Sequence, residues 1–584
     1  MKKSVNHNYL WADIFVKSLV KLGVENVCIS PGSRSTPLTM AFSQEEKLKK
    51  YVIVDERSSG FFALGIAKST GKPAVIITSS GTAVSELYPA IIEAYKDRIP
   101  LIICTADRPI ELLESGANQT INQHDIFSNH IRKSFHAGIP ELIPQRVKHL
   151  ISIALRSVQI ASASDPGPVH INFPFRKPFE PQTYTMEINE VLLNNYYNLI
   201  DKLEAPGKIY RKIGDFTERL YSKLSGKRNL LFIGGQCGEG GIVHKLKRFS
   251  EKFNVPVLLD GTSPLRYMSG LSQNFVTNSQ IFLRSEILKE RLYPDNVILV
   301  GNSPTSNNII EFFEESNCEV IQVSNHSDWN DPTLQTTMQL EMTAEDCCDL
   351  ILENAEFTLP GDDWLNNWIK FDRISEEQKL FFLENADYNI EPAIIDSVLK
   401  HIPDGSSIFV SNSLPVRDFD NFARKASRFL KIYTNRGASG IDGIISCAGG
   451  VSAGTNEITY LVIGDLSFFY DMNAMATLRS YGIPLKIVLI NNNGGSIFDM
   501  LPISKYTDVY TEYFRTPLNL CFEPFVKAFE GNYTLAQNSE SIINFMNEPS
   551  GRFSVIEFDT SHSKSNDARK NFYQGVIDLV EASI

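Results

Sequence analysis

Tyr460-Leu-Val-Ile-Gly-Asp-Leu-Ser467 and Val488-Leu-Ile-Asn-Asn-Asn-Gly-Gly495 are each an apolar run ending in a polar, glycine-containing turn. Runs of this kind read as strands buried on both faces of a parallel sheet, with the polar residues at their carboxyl tips. Between them, Tyr470-Asp-Met-Asn-Ala-Met-Ala-Thr-Leu-Arg-Ser480 has helical apolar spacing, so the stretch predicts a strand–helix–strand unit. The two tips of such a unit finish on one edge of the sheet, where ligands bind in open α/β folds. Asp465 and Asn492 lie 27 residues apart (492 − 465), the length that a turn, a helix and a strand consume. A carboxylate and an amide oxygen held side by side suit Mg²⁺, a hard cation that keeps positions open for a diphosphate. The same residues also suit turn geometry alone, through side-chain-to-backbone hydrogen bonds.

Outward from this unit, the whole chain alternates strands and amphipathic helices, which predicts α/β architecture with three doubly wound parallel-sheet domains. The first domain, residues 1–185, carries strands at Val24–Ser30, Tyr51–Val54, Ala74–Thr78, Leu101–Thr105 and Val169–Phe173. The central domain, residues 186–360, follows the Pro-rich exit Phe173-Pro-Phe-Arg-Lys-Pro-Phe-Glu-Pro181. Its strands are expected at Asn229–Ile233, Val255–Leu259, Val297–Val300 and Glu319–Val323. The third domain, residues 361–584, opens with a charged helical linker. It carries strands at Ser407–Val410, Lys431–Tyr433, Ile458–Ile463, Leu485–Ile490 and Phe553–Phe558. In the central domain, Gly234-Gly-Gln-Cys-Gly-Glu-Gly-Gly241 follows a strand and Asp260 closes the next one. That keeps an NAD or FAD alternative open, although the spacing is not Gly-x-Gly-x-x-Gly and a glycine-rich turn explains it as well.

Composition narrows the function classes. At 584 residues the chain is too long for one core, and 43% hydrophobic with 21% charged residues is ordinary for a globular protein. Net charge is −12 with no Lys/Arg-rich run, which argues against nucleic acid as a partner. No apolar run approaches the ~18 residues of a membrane span, and Met1–Leu10 lacks the uninterrupted apolar core of a signal peptide. The eight cysteines show no Cys-x-x-Cys spacing, and the ten histidines form no metal-like cluster. A cytoplasmic protein with reduced thiols is the expectation.

The paired tips resemble the Gly-Asp-x…Asn-Asn signature of thiamin-diphosphate enzymes, whose chemistry makes a second, independent demand. The cofactor's aminopyrimidine needs a carboxyl group at a buried strand end. Lys50-Tyr-Val-Ile-Val-Asp-Glu-Arg-Ser-Ser-Gly60 offers Glu56 ahead of the apolar Phe61-Phe-Ala-Leu-Gly-Ile-Ala67. A carboxylate among such neighbours has its pKa raised and can share a proton with the ring. Capping of the following helix by Asp55 and Glu56 is the structural alternative. Four further turns carry arginine after a strand: Ile29-Ser-Pro-Gly-Ser-Arg-Ser-Thr-Pro37, Cys104-Thr-Ala-Asp-Arg-Pro109, Asn412-Ser-Leu-Pro-Val-Arg417 and Asn435-Arg-Gly-Ala-Ser-Gly-Ile-Asp442. Any one of them suits a surface ion pair; repeated at strand tips, the planar guanidinium fork of Arg34, Arg108, Arg417 and Arg436 points to a substrate with several carboxylates.

These turns, with Ser80-Gly-Thr-Ala83, Gly116-Ala-Asn-Gln119 and Asn491-Asn-Asn-Gly-Gly-Ser-Ile-Phe498, closely resemble the 2-succinyl-5-enolpyruvyl-6-hydroxy-3-cyclohexene-1-carboxylate synthase family of menaquinone biosynthesis. The resemblance spans essentially the whole chain. It implies a transferase in which 2-oxoglutarate is decarboxylated on thiamin diphosphate and the resulting succinyl carbanion equivalent adds to isochorismate. It implies that Glu56 acts on the aminopyrimidine, that Asp465, Asn492 and the Gly494 carbonyl hold Mg²⁺ or Mn²⁺, and that Ile441, Leu466, Ser467 and Ile497 complete the cofactor site. It further implies that Ser33, Arg34, Arg108, Asn118, Gln119, Ser413, Arg417 and Arg436 bind the two dicarboxylates, with Phe498 and Leu501 as apolar walls. A homodimer or homotetramer is implied as well, with Glu56 of one copy facing Asp465 of another. The chain departs from the family at Gly301-Asn-Ser-Pro-Thr-Ser-Asn307, where Asn307 stands in place of a cationic residue. Open alternatives are another thiamin-diphosphate carboligase for a shorter 2-oxo acid, and a cofactor-binding protein with a decayed site.

Overall fold

The computed structural model describes residues 2–204, 217–237, 242–268, 270–326, 330–354, 361–425, 429–549 and 551–584. The first sheet contains β2 (Asn26–Ile29), β3 (Lys49–Val52), β4 (Ala74–Thr78), β5 (Leu101–Asp107), β6 (Lys133–His136) and β7 (Pro168–Pro174), in the order β3-β2-β4-β5-β7-β6. Outside it, β1 (Lys2–Val5) pairs antiparallel with β8 (Met186–Asn189). The central sheet runs β11-β10-β9-β12-β13-β14. Its strands are β9 (Asn229–Ile233), β10 (Val257–Leu259), β11 (Phe275–Val276), β12 (Asn296–Val300), β13 (Glu319–Ser324) and β14 (Thr336–Glu341). The third sheet runs β16-β15-β17-β18-β20-β19 and comprises β15 (Ser407–Val410), β16 (Lys431–Tyr433), β17 (Thr459–Gly464), β18 (Leu485–Asn491), β19 (Asn532–Leu535) and β20 (Ser554–Asp559). All pairings inside the three sheets are parallel. The three α/β layers expected from the sequence are therefore present.

Each strand read from the sequence lies in a sheet. Those not read from it are β6, β11, β14 and β19, which are sheet edges, and the outlying β1–β8 pair. An edge strand needs only part of its length buried, so the apolar run fades: Lys133-Ser-Phe-His136 buries Phe135 alone. The Gly234–Gly241 turn extends into residues 238–241, outside the described residues. The helix Glu190–Asp201 buries Leu193, Tyr196 and Ile200 in the apolar core of the first sheet. That packing favours drawing the first domain boundary beyond residue 203, rather than at 185/186.

One apolar core is shared by a face of the first sheet and a face of the third, with the helices Glu56–Thr70 and Ile444–Thr455 between them. These helices approach closely because of glycine. A methyl group on Gly65 would overlap the Cys447 carbonyl oxygen, and one on Gly450 would overlap the Phe62 carbonyl oxygen. Phe61 and Phe62 are buried in this core, each contributing roughly 1.5–3 kcal/mol of apolar transfer. The contact fixes Glu56, at the start of one helix, relative to Ile441–Gly443, which lead into the other.

The winding direction reverses between β2 and β4, between β9 and β12, and between β15 and β17. Such switch points open a crevice at the carboxyl ends of the strands. The expected site turns after β2 and β4, and after β15 and β17, fall at two of the three. At the central switch point a cavity of about 450 Å³ is lined by Gln236, Gly301, Asn302 and Ser324, with Arg98 from the first domain. Asp260, at the tip of β10, gives its carboxylate to Thr262 and Thr305, accepting from both backbone N–H groups and both hydroxyls. That engagement assigns Asp260 to loop structure.

The eight cysteines are all unpaired thiols, seven of them buried and Cys521 exposed. No helix among the described residues is long and apolar enough to cross a membrane.

Candidate active site

β17 and β18 pair with Gly464 opposite Ile490, which sets Asp465 beside the Asn491–Gly495 turn. The Gly494 N–H donates to Asp465 Oδ2 at 2.6 Å. Asn493 and Gly494 both take left-handed φ, 59° and 122°, so the turn curls back over the β17 tip; the second value is readily adopted only by glycine. Asn492 is buried and donates from Nδ2 to Glu391 Oε1 at 3.0 Å. Its Oδ1 is buried and has no partner. Burial pushes the Asp465 carboxyl up to about 6, against backbone N–H groups that pull it down. A divalent cation fits this pair: it would satisfy the orphaned amide oxygen and supply the charge that the buried carboxylate lacks.

The Glu56 helix opens with a division of labour. Asp55 is the cap, accepting from the Ser58 N–H at 3.1 Å. It also accepts from Asn473 Nδ2 of the third domain at 2.6 Å. Of the two acids weighed as caps, then, Asp55 takes that role. Glu56 sits at the first helical position, half-buried, with its carboxyl pushed above the usual range. Burial is the main cause, with smaller contributions from the nearby Asp55 and Glu86.

The arginines occur as two like-charged pairs. Arg34 donates to the Phe175 carbonyl at 2.8 Å and lies over the Phe179 ring. Its pKa is lowered by burial and then by Arg108. Arg108 is also lowered by burial, and its buried Nη1 has no partner. In the third domain, Arg417 donates to the Ser413 carbonyl at 2.7 Å, and Arg436 Nη1 to Asn412 Oδ1 at 3.3 Å. Burial and then Arg436 lower the Arg417 pKa. An anion bound beside Arg34 and Arg108, or beside Arg417 and Arg436, would offset the repulsion that lowers Arg34 and Arg417.

Gln119 is drawn to the first pair's switch point: its Nε2 donates to the Ser80 carbonyl at 2.9 Å, and Ser80 Oγ returns a bond to its carbonyl at 3.1 Å. Ser33 and Asn118 are exposed beside them in sequence. Gln119 and Ser413 also have left-handed φ, 55° and 73°; such non-glycine strain tends to collect in functional loops. Ser467 Oγ meets Ser411 Oγ at 3.4 Å across the β15–β17 tips. Ile441, Leu466, Ile497 and Phe498 are half-buried, and Leu501 is exposed. Asn307, the departure from the family pattern, is exposed at the start of the helix Asn307–Ser316. Among the described residues no hydrogen bond or ion pair joins Glu56, Arg34 or Arg108 to Asp465, Asn492, Arg417 or Arg436 within one chain.

Comparison with known proteins matches the first and third domains to one enzyme class. The N-terminal thiamine pyrophosphate enzyme domain model, described as TPP-binding, matches residues 11–126, and its C-terminal counterpart matches residues 421–558. Benzoylformate decarboxylase from Polynucleobacter necessarius has the same fold, with a TM-score of 0.68 over 94% of this chain and 98% of that one at 16% identity. The first and third domains are thus the two cofactor-binding units of a thiamin-diphosphate enzyme. The 2-succinyl-5-enolpyruvyl-6-hydroxy-3-cyclohexene-1-carboxylate synthase of Haloquadratum walsbyi is 36% identical over 89% of each chain. Those of Bacillus velezensis and Listeria monocytogenes are 32% and 30% identical, covering 98% and 99% of this chain and 96% and 99% of their own. This chain belongs to that synthase family.

Proposed function

We propose that the chain decarboxylates 2-oxoglutarate and transfers the remaining four-carbon unit to isochorismate, as a step of menaquinone biosynthesis. Family membership supports the reaction, and the observation that carries the residue roles is the buried Asp465–Asn492 pair with its unpartnered amide oxygen. Thiamin diphosphate, when bound, supplies the electron sink for loss of carbon dioxide and the carbon nucleophile for the addition. Asp465, Asn492 and the Gly494 carbonyl hold the divalent cation that clamps the diphosphate, with Leu466, Ser467 and Ile497 beside them. Ile441 shapes the cofactor pocket. Glu56, with its raised pKa, keeps a proton available at the aminopyrimidine nitrogen. Arg34 with Arg108, and Arg417 with Arg436, each take carboxylates; Ser33, Asn118, Gln119 and Ser413 orient them, and Phe498 and Leu501 exclude water.

The family resemblance supports a working site completed by a second copy: Glu56, Arg34 and Arg108 of one subunit meet the Asp465 side of another. A homodimer is the smallest assembly that does this. The test is isochorismate consumption by purified protein with thiamin diphosphate and Mg²⁺, with and without 2-oxoglutarate. Loss only when 2-oxoglutarate and cofactor are both present is the expected result. Carbon dioxide release from a shorter 2-oxo acid, with isochorismate untouched, would assign a sister carboligase activity instead.

A further inference from the structure

Asn492 is gripped from both ends by groups that no site motif contains. Its amide Nδ2 donates to Glu391 Oε1 at 3.0 Å, and its backbone carbonyl accepts from Arg515 Nη2 at 2.6 Å. Glu391 is 2% exposed, and its other carboxylate oxygen is paired with Arg569, itself 1% exposed. Arg569 donates onward to Asn566 Oδ1 at 2.9 Å, and Asn566 Nδ2 to Asp499 Oδ2 at 2.9 Å. Asp499 is paired with Arg515. The six residues therefore close a hydrogen-bonded ring through Asn492. Thr560 Oγ1 adds a bond to Glu391 Oε1 at 3.2 Å. Arg569 also holds Asp418 through Nε at 2.9 Å, on the helix Leu414–Phe422 one residue after Arg417.

We infer that Glu391 is a positioning residue for the metal site: it dictates which end of the Asn492 amide faces the cation. A side-chain amide has two ends of similar shape, and only its oxygen ligates a hard cation. A carboxylate paired with a buried guanidinium can only accept, so the group facing Glu391 must be the NH₂. The oxygen is thereby turned away from Glu391, and it stands buried and unpartnered, in the turn whose Gly494 N–H holds Asp465. Partners that orient ligands in this way commonly set metal affinity by about tenfold to a hundredfold. The same ring, through Arg569 and Asp418, ties the metal turn to the helix that carries Arg417. This inference rests on the metal-site reading above.

The discriminating measurement is Mg²⁺ affinity, read from the change in intrinsic fluorescence at saturating thiamin diphosphate, for Glu391→Gln alongside Asp465→Asn. A glutamine offers either hydrogen-bonding end and no longer fixes the amide. Glu391→Gln should weaken Mg²⁺ binding about tenfold to a hundredfold, with the lost occupancy recovered at high Mg²⁺. In an Asn492→Asp background there is no amide to orient, so the additional loss from Glu391→Gln should shrink to a few-fold at most. A purely structural role for Glu391 gives the same loss in both backgrounds, and equal losses overturn the inference. Unchanged Mg²⁺ affinity in Glu391→Gln, with affinity lost in Asp465→Asn, removes Glu391 but leaves the metal site standing. Unchanged affinity in both removes the metal site itself. Should Glu391→Gln fail to fold, Thr560→Val loosens the same carboxylate; a few-fold, Mg²⁺-reversible loss supports the inference, and no change overturns it.

Discussion

Replacing Gly450 by alanine tests the packing that holds the two cofactor domains together. In the helix Ile444–Thr455 alanine is favoured over glycine by about 1 kcal/mol from backbone entropy alone. Against that, the new methyl overlaps the Phe62 carbonyl oxygen and lies 3.0 Å from both Gly65 Cα and the Ile66 nitrogen. These are backbone atoms of the facing helix and cannot rotate away. Relief requires the helices to part by ~1 Å, and a gap of that size forfeits a quarter to a half of each dispersion contact it opens. Overpacking of this kind costs about 1–3 kcal/mol, and backbone opposition puts Gly450 at the upper end. The net effect is a loss of about 2 kcal/mol, which lowers the thermal midpoint by roughly 4–8 °C. Gly575 is the control: it lies in the exposed face of the helix Ser565–Glu581, and a methyl there meets nothing within 4 Å. Gly575→Ala should raise the midpoint by a few degrees at most, for a gain of about 0.5–1 kcal/mol. Thermal unfolding followed by circular dichroism reads both variants. A Gly450→Ala midpoint at or above that of the parent chain would refute the close-contact argument.

Three further outcomes are expected. Glu56→Gln should fold normally and lose turnover by about 10²–10⁴-fold, the usual worth of a positioned proton donor; near-parental turnover of isochorismate would take Glu56 out of the chemistry. Arg436→Ala should raise KM for one dicarboxylate about tenfold to a hundredfold, for the loss of charge-assisted hydrogen bonds of about 1.5–3 kcal/mol. Identical steady-state kinetics for both substrates would show that Arg436 serves its Asn412 contact alone. The third concerns pH. Asp420 is fully buried against the central domain, and its carboxyl is pushed from 3.8 up to about 7, by burial first and then by Asp260. Between those values the folded chain keeps a proton that the unfolded chain has released, so stability falls as pH rises toward 7. The slope is at most about 1.4 kcal/mol per pH unit and vanishes above the folded value. Asp420→Asn should flatten the decline in thermal midpoint between pH 5 and 7, and an unaltered slope would exclude Asp420 as its source.

The sequence by itself determined what is local. A parallel strand buried on both faces must be an apolar run, and its tip must change to polar turn residues, so β2, β4, β5, β9, β12, β15, β17, β18 and β20 and the turns after them were legible in order. Asp465, Asn492, Glu56 and the four arginines could be named as candidates because the roles proposed for them need particular residue types at strand ends. The tertiary structure alone decided the rest. Edge strands such as β6 and β19 are recognised only by their neighbours, since half-exposed residues carry no apolar run. The division between Asp55 as cap and Glu56 as the raised carboxyl depends on which of the two side chains the folded backbone turns onto the Ser58 N–H. Glu391 and Arg569 lie 101 residues before and 77 residues after Asn492 (492 − 391, 569 − 492), with no spacing to mark them. A charge pair of that kind gains its meaning only when folding excludes water, because only then must every donor and acceptor find its partner within the chain.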